Sequence, residues 1–301
     1  MDLNQLEVFF VLAKTKNFTD TARLMHVTQS AISHAIKKLE INTDCSLIDR
    51  SKRRFFLTPA GEDLYRSCEL IFSEVERAGE RIKKHKKQPI WKITLGSTVE
   101  FGNTVLIPLI NDFIQHHPQY HLDFRFSNHN LKEKLSVGLV DFIIDCKDHF
   151  ETNLNRIPLF KEEFVVVASA DFVSCNNIAD PKELEKTTVL SMDADCMWWK
   201  NFWAILPLNM RPDFKKIICI NHVRGLISGA IAGMGVSFVP RYTIRKELSS
   251  GVLKELFPQI SPQADDFCIY IKRDKLTLEK NRELIDFLKK IPPSEFGNPK
   301  G

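Results

Sequence analysis

Between residues 28 and 40 the sequence combines hydrogen-bonding side chains with an apolar stripe at helical spacing. The polar side chains are short or flexible donors and acceptors: Gln29, Ser30, Ser33, His34 and Lys37. The apolar side chains follow the other side of the predicted helix: Ala31, Ile32, Ala35, Ile36 and Leu39. Such a polar face can hydrogen-bond to base edges and phosphates in the major groove of DNA. We therefore expect this segment to bind DNA rather than to catalyse a reaction.

Two shorter helices are expected before this segment. Apolar residues at helical spacing predict a first helix over residues 3–16: Leu3, Leu6, Phe9, Phe10 and Ala13. Residues 17–19 end it, and Thr19 is of a type that caps a second helix over residues 20–25. After a turn at residues 26 and 27, Thr28 either caps the third helix or contacts DNA, and both roles stay open. Helix, short turn and helix is the order of a helix-turn-helix motif.

A basic segment flanked by apolar residues follows the third helix. Residues 47 and 48 precede it, and residues 55–57 follow it. Its cations are Arg50, Lys52, Arg53 and Arg54. Two short strands joined by a basic turn form a wing, and these cations can bind a phosphate backbone. A run of cations is often only a solvated loop, but its place directly after a helix-turn-helix favours DNA contact.

A long helix is predicted from Thr58 and Pro59, because proline in the first turn of a helix loses no hydrogen bond. Apolar residues then follow at alternating intervals of four and three, which forms a heptad seam. The seam consists of Leu64, Cys68, Ile71, Val75, Ala78 and Ile82. A seam this narrow indicates a dimerisation helix, although it can also pack against its own domain. The lysine-rich residues 83–89 end the helix and indicate a hinge.

From Trp91 onward, apolar segments alternate with helical ones, as in α/β proteins. The predicted strands cover residues 93–95, 122–126, 142–144, 164–168, 189–191, 217–220, 236–239 and 267–271. The predicted helices include residues 104–116, 131–138, 223–232 and 279–290. Uninterrupted apolar runs such as residues 164–168 are typical of strands that are covered on both faces. We therefore expect mostly parallel sheets, in a body of about 200 residues that is large enough for two lobes.

The positive charge of the chain is concentrated in its first third. Residues 1–90 contain 16 Lys and Arg against 12 Asp and Glu, and this excess equals the net charge of +4 for all 301 residues. A basic head on a neutral body is expected of a protein that binds a polyanion. The N-terminus shows no signal-peptide pattern, and the longest uncharged run, residues 225–240, is short for a membrane span. We expect a cytoplasmic protein with no membrane partner.

Residues 1–60 closely resemble the winged helix-turn-helix of LysR-type transcriptional regulators. The matching positions are residues 6, 9–13, 17–19, 22–24, 27–33, 36, 39–40, 47–50 and 57–61, which include the run Val-Thr-Gln-Ser-Ala-Ile-Ser at 27–33. Residues 96–98, 106–113, 138–143 and 230–240 are similar to the effector domain of the family, so the resemblance covers essentially the whole chain. The chain has Thr43 and Asp44 where the family usually has Leu-Gly, and Asp tolerates left-handed geometry better than most residues.

The resemblance implies an α/β fold of three parts and a function. A winged helix-turn-helix DNA-binding domain would occupy residues 1–58, a linker or dimerisation helix with a hinge residues 59–89, an effector-binding domain residues 90–293, and a tail residues 294–301. The effector-binding domain would resemble periplasmic binding proteins, with lobe I at residues 91–161 plus 267–293 and lobe II at residues 162–266. The implied function is that of a sequence-specific transcriptional regulator. It would bind double-stranded promoter DNA as a dimer or tetramer and respond to a small-molecule effector.

The resemblance also places the effector between the two lobes. The first strand-to-helix turn offers Ser97, Thr98 and Glu100 as contacts, and the family places further contacts near Ser127, Asn128 and His129 and near Asn221 and His222. The turn at residues 97–98 precedes a helix whose free N–H groups suit an anion. Glu100 instead favours an amine or a zwitterion, so the chemical identity of the effector stays open.

Two other functions stay open at this point. The same fold can act as a redox sensor through a cysteine pair, for which Cys196 and Cys219 are the candidates among seven cysteines. An enzyme or a solute-binding protein with an added DNA-binding module would need a catalytic motif or an export signal. The sequence contains no G-x-S-x-G, H-E-x-x-H, Walker or paired-cysteine metal motif. We therefore expect no enzyme activity, no cofactor and no metal.

Overall fold

The computed structural model describes residues 1–49, 55–85, 89–260, 262 and 265–296. The N-terminal domain begins with three helices: α1 (Leu3–Thr15), α2 (Phe18–Met25) and α3 (Gln29–Thr43). The Thr28 hydroxyl accepts a hydrogen bond of 3.2 Å from the Ala31 N–H, so Thr28 caps α3. The predicted helix-turn-helix is therefore confirmed.

The start of α2 differs from the sequence prediction. Asn17, not Thr19, is its N-cap, because the Asn17 side-chain oxygen accepts hydrogen bonds from the N–H groups of Thr19 (2.8 Å) and Asp20 (3.2 Å). Both residue types are good caps, and only the chain geometry decides between them. Helix α2 therefore includes Phe18 and Thr19.

Helix α3 packs on α1 and α2 through only part of its apolar stripe. Ile32, Ile36 and Leu39 are buried in one core with residues of α1. The prediction that the whole stripe is buried is wrong at Ala31, which is exposed, and at Ala35, which is only half-buried. These small side chains lie at the edge of the apolar stripe, where the neighbouring helices do not cover α3 completely.

The base of the wing lies within the described residues. Ile48 and Leu57 form an antiparallel bridge, and the Thr58 N–H donates a hydrogen bond of 3.1 Å to the Leu47 carbonyl. Asp44 ends α3 with a φ of 51°, which is the left-handed geometry considered for this turn. The four predicted DNA-contacting cations of the wing, Arg50, Lys52, Arg53 and Arg54, lie outside the described residues.

The long helix α4 (Pro59–Lys84) is capped by Thr58, whose hydroxyl accepts a hydrogen bond from the Gly61 N–H. Its heptad seam is divided in the structure. Leu64, Cys68 and Ile71 pack into the core of the DNA-binding domain, and Cys68 is completely buried there. Val75 and Ile82 are 53% and 67% exposed, and Ala78 between them is half-buried. The prediction that Cys68 contacts a partner chain is therefore wrong, because its own domain covers it.

Ten strands follow α4 within the described residues. They are β1 (Trp91–Ser97), β2 (Tyr120–Phe126), β3 (Phe142–Asp145), β4 (Leu154–Lys161), β5 (Phe164–Ser169), β6 (Thr188–Ser191), β7 (Lys216–Cys219), β8 (Val236–Pro240), β9 (Leu253–Leu256) and β10 (Asp266–Lys272). One sheet has the order β2-β1-β3-β10-β4, and the other has the order β7-β6-β8-β5-β9. We call the parts built on them lobe I and lobe II.

Each sheet is mixed rather than mostly parallel. In lobe I, β1 pairs in parallel with β2 and β3, whereas β10 pairs antiparallel with β3 and β4. Lobe II repeats this arrangement around β6 and β5. The prediction of mostly parallel sheets is wrong because a buried antiparallel strand such as β5 has the same uninterrupted apolar sequence as a parallel one.

Helices cover both sheets. They are α5 (Val99–Phe101), α6 (Ile107–His116), α7 (Leu131–Ser136), α8 (Ala170–Asn176), α9 (Met197–Ala204), α10 (Val223–Ile231), α11 (Arg245–Ser249), α12 (Arg273–Leu276) and α13 (Glu279–Lys290). A π-helical turn, Gly102–Leu106, joins α5 to α6. None of the helices in the described part of the chain is both long and apolar enough to cross a lipid bilayer.

Helix α4 is attached to lobe I of the same chain by charged side chains. The Lys275 ammonium lies 2.6 Å and 2.5 Å from the two carboxylate oxygens of Glu76, and the Arg77 guanidinium donates to the Thr277 hydroxyl at 3.1 Å. These contacts use one side of α4. The side that carries Val75 and Ile82 is left exposed.

A buried carboxyl lies where the chain crosses from lobe I to lobe II. Glu162 follows β4, and its N–H donates a hydrogen bond of 2.9 Å to the Asp265 carbonyl on the return crossing. The Glu162 side chain is buried beside Tyr242. Burial first, and then the negative charges of Asp265 and Asp145, raise the pKa of Glu162 to about 8.

We expect Glu162→Gln to flatten the pH dependence of stability. Native Glu162 holds its proton up to a pH of about 8, whereas the unfolded carboxyl loses it near its ordinary pKa of 4.5. The unfolding free energy of the wild type therefore falls as pH rises through this window, with a slope of up to about 1.4 kcal/mol per pH unit. Urea unfolding at several pH values measures the slope. The control is Glu163→Gln, which removes a carboxylate paired with Arg241, and an unchanged slope in Glu162→Gln would refute the expectation.

Candidate functional site

The polar face of α3 is open to solvent. All the predicted groove-facing residues are exposed: Gln29, Ser30, Ser33, His34 and Lys37. Because Ile32, Ile36 and Leu39 anchor the opposite side, these side chains project from a rigid support. Thr28 is exposed too, but its hydroxyl already bonds to the Ala31 N–H and lies 2.9 Å from the Ser30 hydroxyl. The geometry therefore favours the capping role for Thr28.

A second candidate site lies at the end of β1, where lobe I faces lobe II. Ser97, predicted to contact the effector, is completely buried, and its hydroxyl donates a hydrogen bond of 3.0 Å to the Ile144 carbonyl. Ser97 therefore holds β1 to β3 and does not face a ligand, contrary to the sequence prediction. The Thr98 hydroxyl is buried and has no hydrogen-bond partner among the described residues. It is thus a free polar group at the start of α5.

Glu100 connects this part of lobe I to lobe II. Its side chain is only 10% exposed, and its carboxylate lies 3.6 Å from the Arg224 guanidinium. It also lies 3.8 Å from His222 Nδ1, which accepts a hydrogen bond of 3.2 Å from the Arg224 N–H. Arg224 is therefore the charge partner of Glu100. The guanidinium is itself held by Glu247 at 3.1 Å and by the Thr243 carbonyl at 3.3 Å.

The remaining predicted effector residues lie on loops. The Asn128 side-chain oxygen accepts a hydrogen bond of 3.1 Å from the Val99 N–H, so Asn128 occupies one of the free donors at the start of α5. The half-buried Ser127 donates its hydroxyl hydrogen to the His129 carbonyl. His129, Asn221 and His222 are exposed, and His222 caps α10.

The sequence prediction missed Arg224. This residue lies in the first turn of α10, where the positive end of the helix dipole makes a cation unfavourable. A cation at that position is a signal of a compensating anion nearby. Here the anions are Glu247, in the same lobe, and Glu100, in the other one.

The structure disfavours the redox pair of Cys196 and Cys219 that was considered from the sequence. Cys196 is 2% exposed, and burial raises the pKa of its thiol. A redox sensor needs an accessible thiolate, which a raised pKa disfavours. Cys219 is exposed, whereas the Cys196 thiol is buried.

Two family models match the chain, one over its N-terminal domain and one over the two lobes. Residues 3–62 match the family model described as bacterial regulatory helix-turn-helix protein, lysR family, and residues 87–291 match the LysR substrate binding domain. The chain belongs to the LysR family. As a LysR-type protein it is a DNA-binding transcriptional regulator with an effector-binding domain, and the resemblance described from the sequence is confirmed.

The similarity to other LysR-type proteins extends over nearly the whole chain. The glycine cleavage system transcriptional activator homolog of Haemophilus influenzae is 28% identical over 278 residues, which cover 92% of this chain and 90% of that protein. A full-length OxyR variant from Pseudomonas aeruginosa has a TM-score of 0.68 at 21% identity and covers 100% of this chain and 99% of its own. Vibrio fischeri DarR in complex with DNA has a TM-score of 0.55 at 18% identity, with coverage of 97% and 99%.

Proposed function

We propose that the exposed face of α3 reads the operator sequence from the major groove. The observation that supports this most strongly is that Gln29, Ser30, Ser33, His34 and Lys37 are all exposed on one helix whose other side is anchored in the core. Ser30 and Ser33 are small enough to allow close approach of the helix to base edges. The wing cations Arg50, Lys52, Arg53 and Arg54 would bind phosphates, each steepening the salt dependence of binding by about 0.9 in log–log slope.

We propose further that the regulator acts as a dimer or tetramer held by the second half of α4. Val75 and Ile82 are large apolar side chains on one exposed side of the helix, with Ala78 between them. Exposed apolar residues in a heptad pattern gain stability by pairing with a second helix. A two-fold dimer would present two α3 helices to the two half-sites of one operator.

The double variant Val75→Glu, Ile82→Glu is expected to be largely monomeric and to bind operator DNA at least tenfold more weakly. The reason is that each chain would bring two carboxylates to the same apolar contact. Sedimentation velocity measures the mass, and a mobility shift measures binding. The matched control is Leu208→Glu, which changes an 80% exposed leucine of lobe II. A double variant with the mass of the wild type would contradict the role of this side of α4.

We propose that the effector binds between the lobes and carries both a positive and a negative group. Glu100 and Arg224 face each other across the lobes. The ammonium group of an effector could therefore bind Glu100, and its carboxylate could bind Arg224. The free Thr98 hydroxyl lies beside Glu100 in the chain and would complete the site. Asn128, Ser127, His129, Asn221 and His222 would line its rim.

Amino acids are therefore expected to stabilise the protein against heat better than simple carboxylates or amines. Thermal melting with each standard amino acid, and with analogues that lack one charge, tests this. The shift should disappear in Arg224→Gln and persist in the control Arg125→Gln, which changes an exposed arginine of β2. If carboxylates without an ammonium group stabilise equally well, the zwitterion assignment is wrong.

We propose that the protein is not an enzyme and that it acts in the cytoplasm, where promoter DNA is accessible. The related proteins named above are transcriptional regulators by description or family. The function of the protein would then be to couple effector binding to DNA binding rather than to convert a substrate.

A further inference from the structure

A cavity of about 350 Å³ lies between the DNA-binding domain and lobe I. Helix α1, residues 55–57 and helix α4 contribute one wall, and lobe I contributes the other. The side chains that matter for its chemistry are Lys14, Phe55, Leu57, Tyr65 and Lys272. None of the proposed effector contacts lines this cavity, so it is distinct from the site between the lobes.

Lys14 brings a positive charge into the cavity from the DNA-binding domain. Its ammonium lies 3.7 Å from the centre of the Phe10 ring, and it reaches lobe I, where a Cβ at Gly138 would lie 3.9 Å from it. Among the described residues, no carboxylate lies within ion-pair distance of this ammonium.

Lys272 brings a second positive charge from lobe I. It ends β10, is 8% exposed, and donates one hydrogen bond of 2.8 Å to the Ser136 carbonyl. In the described part of the chain it too lacks a carboxylate within ion-pair distance. Lys275, which lies nearby, differs from these two lysines because its ammonium is paired with the Glu76 carboxylate. The carboxylates that line the cavity, Glu62 and Glu151, are exposed, and Glu151 is paired with Lys132.

Two ammonium groups without a carboxylate partner destabilise the contact between the DNA-binding domain and lobe I. Removing a charge from water without a partner is unfavourable, and like charges repel at short range. Accordingly, desolvation first, and then Lys272 and Lys275, lower the pKa of Lys14 to about 7, while Glu69 and Asp274 oppose the shift in part. A bound anion between the two lysines would remove this cost.

We propose that this cavity binds a small organic acid. Its carboxylate would lie between Lys14 and Lys272, and its apolar part would lie against Phe55, Leu57 and Tyr65. The volume is that of a small-molecule site. Because the ligand would touch both the DNA-binding domain and lobe I, its binding would strengthen their contact and thus alter the position of the DNA-binding domain.

Calorimetric titration of the full-length protein with benzoate tests the proposal. One benzoate per chain is expected to bind, at least tenfold more weakly in Lys14→Gln. Lys14→Arg should restore binding, because it keeps the charge. The matched control is Lys200→Gln, which changes an exposed lysine of α9 away from the cavity. Arg224→Gln should bind like the wild type, because the effector site proposed above is separate.

The pH dependence of the wild type gives a test that needs no variant. Affinity for benzoate should fall as pH rises through the Lys14 pKa, since the neutral amine no longer attracts the carboxylate. The other titratable groups near it are Lys16, Lys272, Lys275, Glu7, Glu62, Glu69, Glu76, Glu151, Asp141, Asp274 and Tyr65. Absence of benzoate binding, equal binding by Lys14→Gln, or equally tight binding of inorganic phosphate would each overturn the assignment of an organic acid.

Discussion

Replacing Ser33 with glutamate is expected to abolish sequence-specific DNA binding while the fold stays intact. Ser33 is exposed near the middle of the polar face of α3, one helical turn from Gln29, Ser30 and Lys37. A carboxylate there would meet the negative potential of the groove and would be too large for close approach. We expect at least a hundredfold loss in affinity, about 2.7 kcal/mol, for operator DNA in a fluorescence anisotropy titration.

The control for this variant is Ser174→Glu. Ser174 is an exposed serine on α8, in lobe II, so the same substitution adds the same charge away from the proposed DNA contact. Its affinity for DNA should equal that of the wild type. If Ser33→Glu retains affinity, or if Ser174→Glu loses as much, α3 is not the reading helix.

Gly61→Ala is expected to destabilise the DNA-binding domain and weaken DNA binding together. A Cβ at Gly61 would lie 2.2 Å from the Leu47 carbonyl oxygen and 3.2 Å from the Leu57 Cβ. Both contacts are with the base of the wing, and the Leu47 carbonyl is fixed by the Thr58 N–H. Because backbone rather than a flexible side chain must move, we expect a loss of about 2 kcal/mol of unfolding free energy.

Gly79→Ala, on the same helix, is expected to have the opposite effect. Apart from the backbone of α4 itself and the two chain neighbours, no atom of the described residues lies within 4 Å of a Cβ built at Gly79, and alanine favours a helix interior by about 1 kcal/mol over glycine. Thermal and urea unfolding of the two variants should therefore shift in opposite directions. Two shifts of the same sign would show that close packing against the wing does not account for Gly61.

Local structure was largely predictable from the sequence because its causes are local. The apolar spacing of Ile32, Ile36 and Leu39 defines α3, and Thr28 and Thr58 cap helices as their residue types predict. Strands β4 and β9 were missed, and both lie at an edge of a sheet. An edge strand is covered less completely, so β4 carries Pro158 and charged side chains that obscure its apolar pattern.

Contacts between distant segments were not predictable. Glu100 was recognised as an unusual residue for an anion site, but its partner Arg224 is far away in the sequence and comes close only through the packing of two lobes. Likewise, Lys14 and Lys272 carry no motif, and only the contact between domains brings them to one cavity. The division of the α4 seam between Ile71 and Val75 also depends on which neighbours the fold supplies.

Chromatin immunoprecipitation with sequencing, in the protein's own cells, tests most directly whether this chain is a sequence-specific regulator. The wild type and Ser33→Glu would be expressed at equal levels and crosslinked to DNA. We expect the wild type to enrich a limited set of promoter regions that share a sequence with two-fold symmetry, and we expect the variant to lose them. Equal enrichment by both proteins, or no enrichment of specific regions by a well-expressed wild type with and without candidate amino acids, would contradict the account.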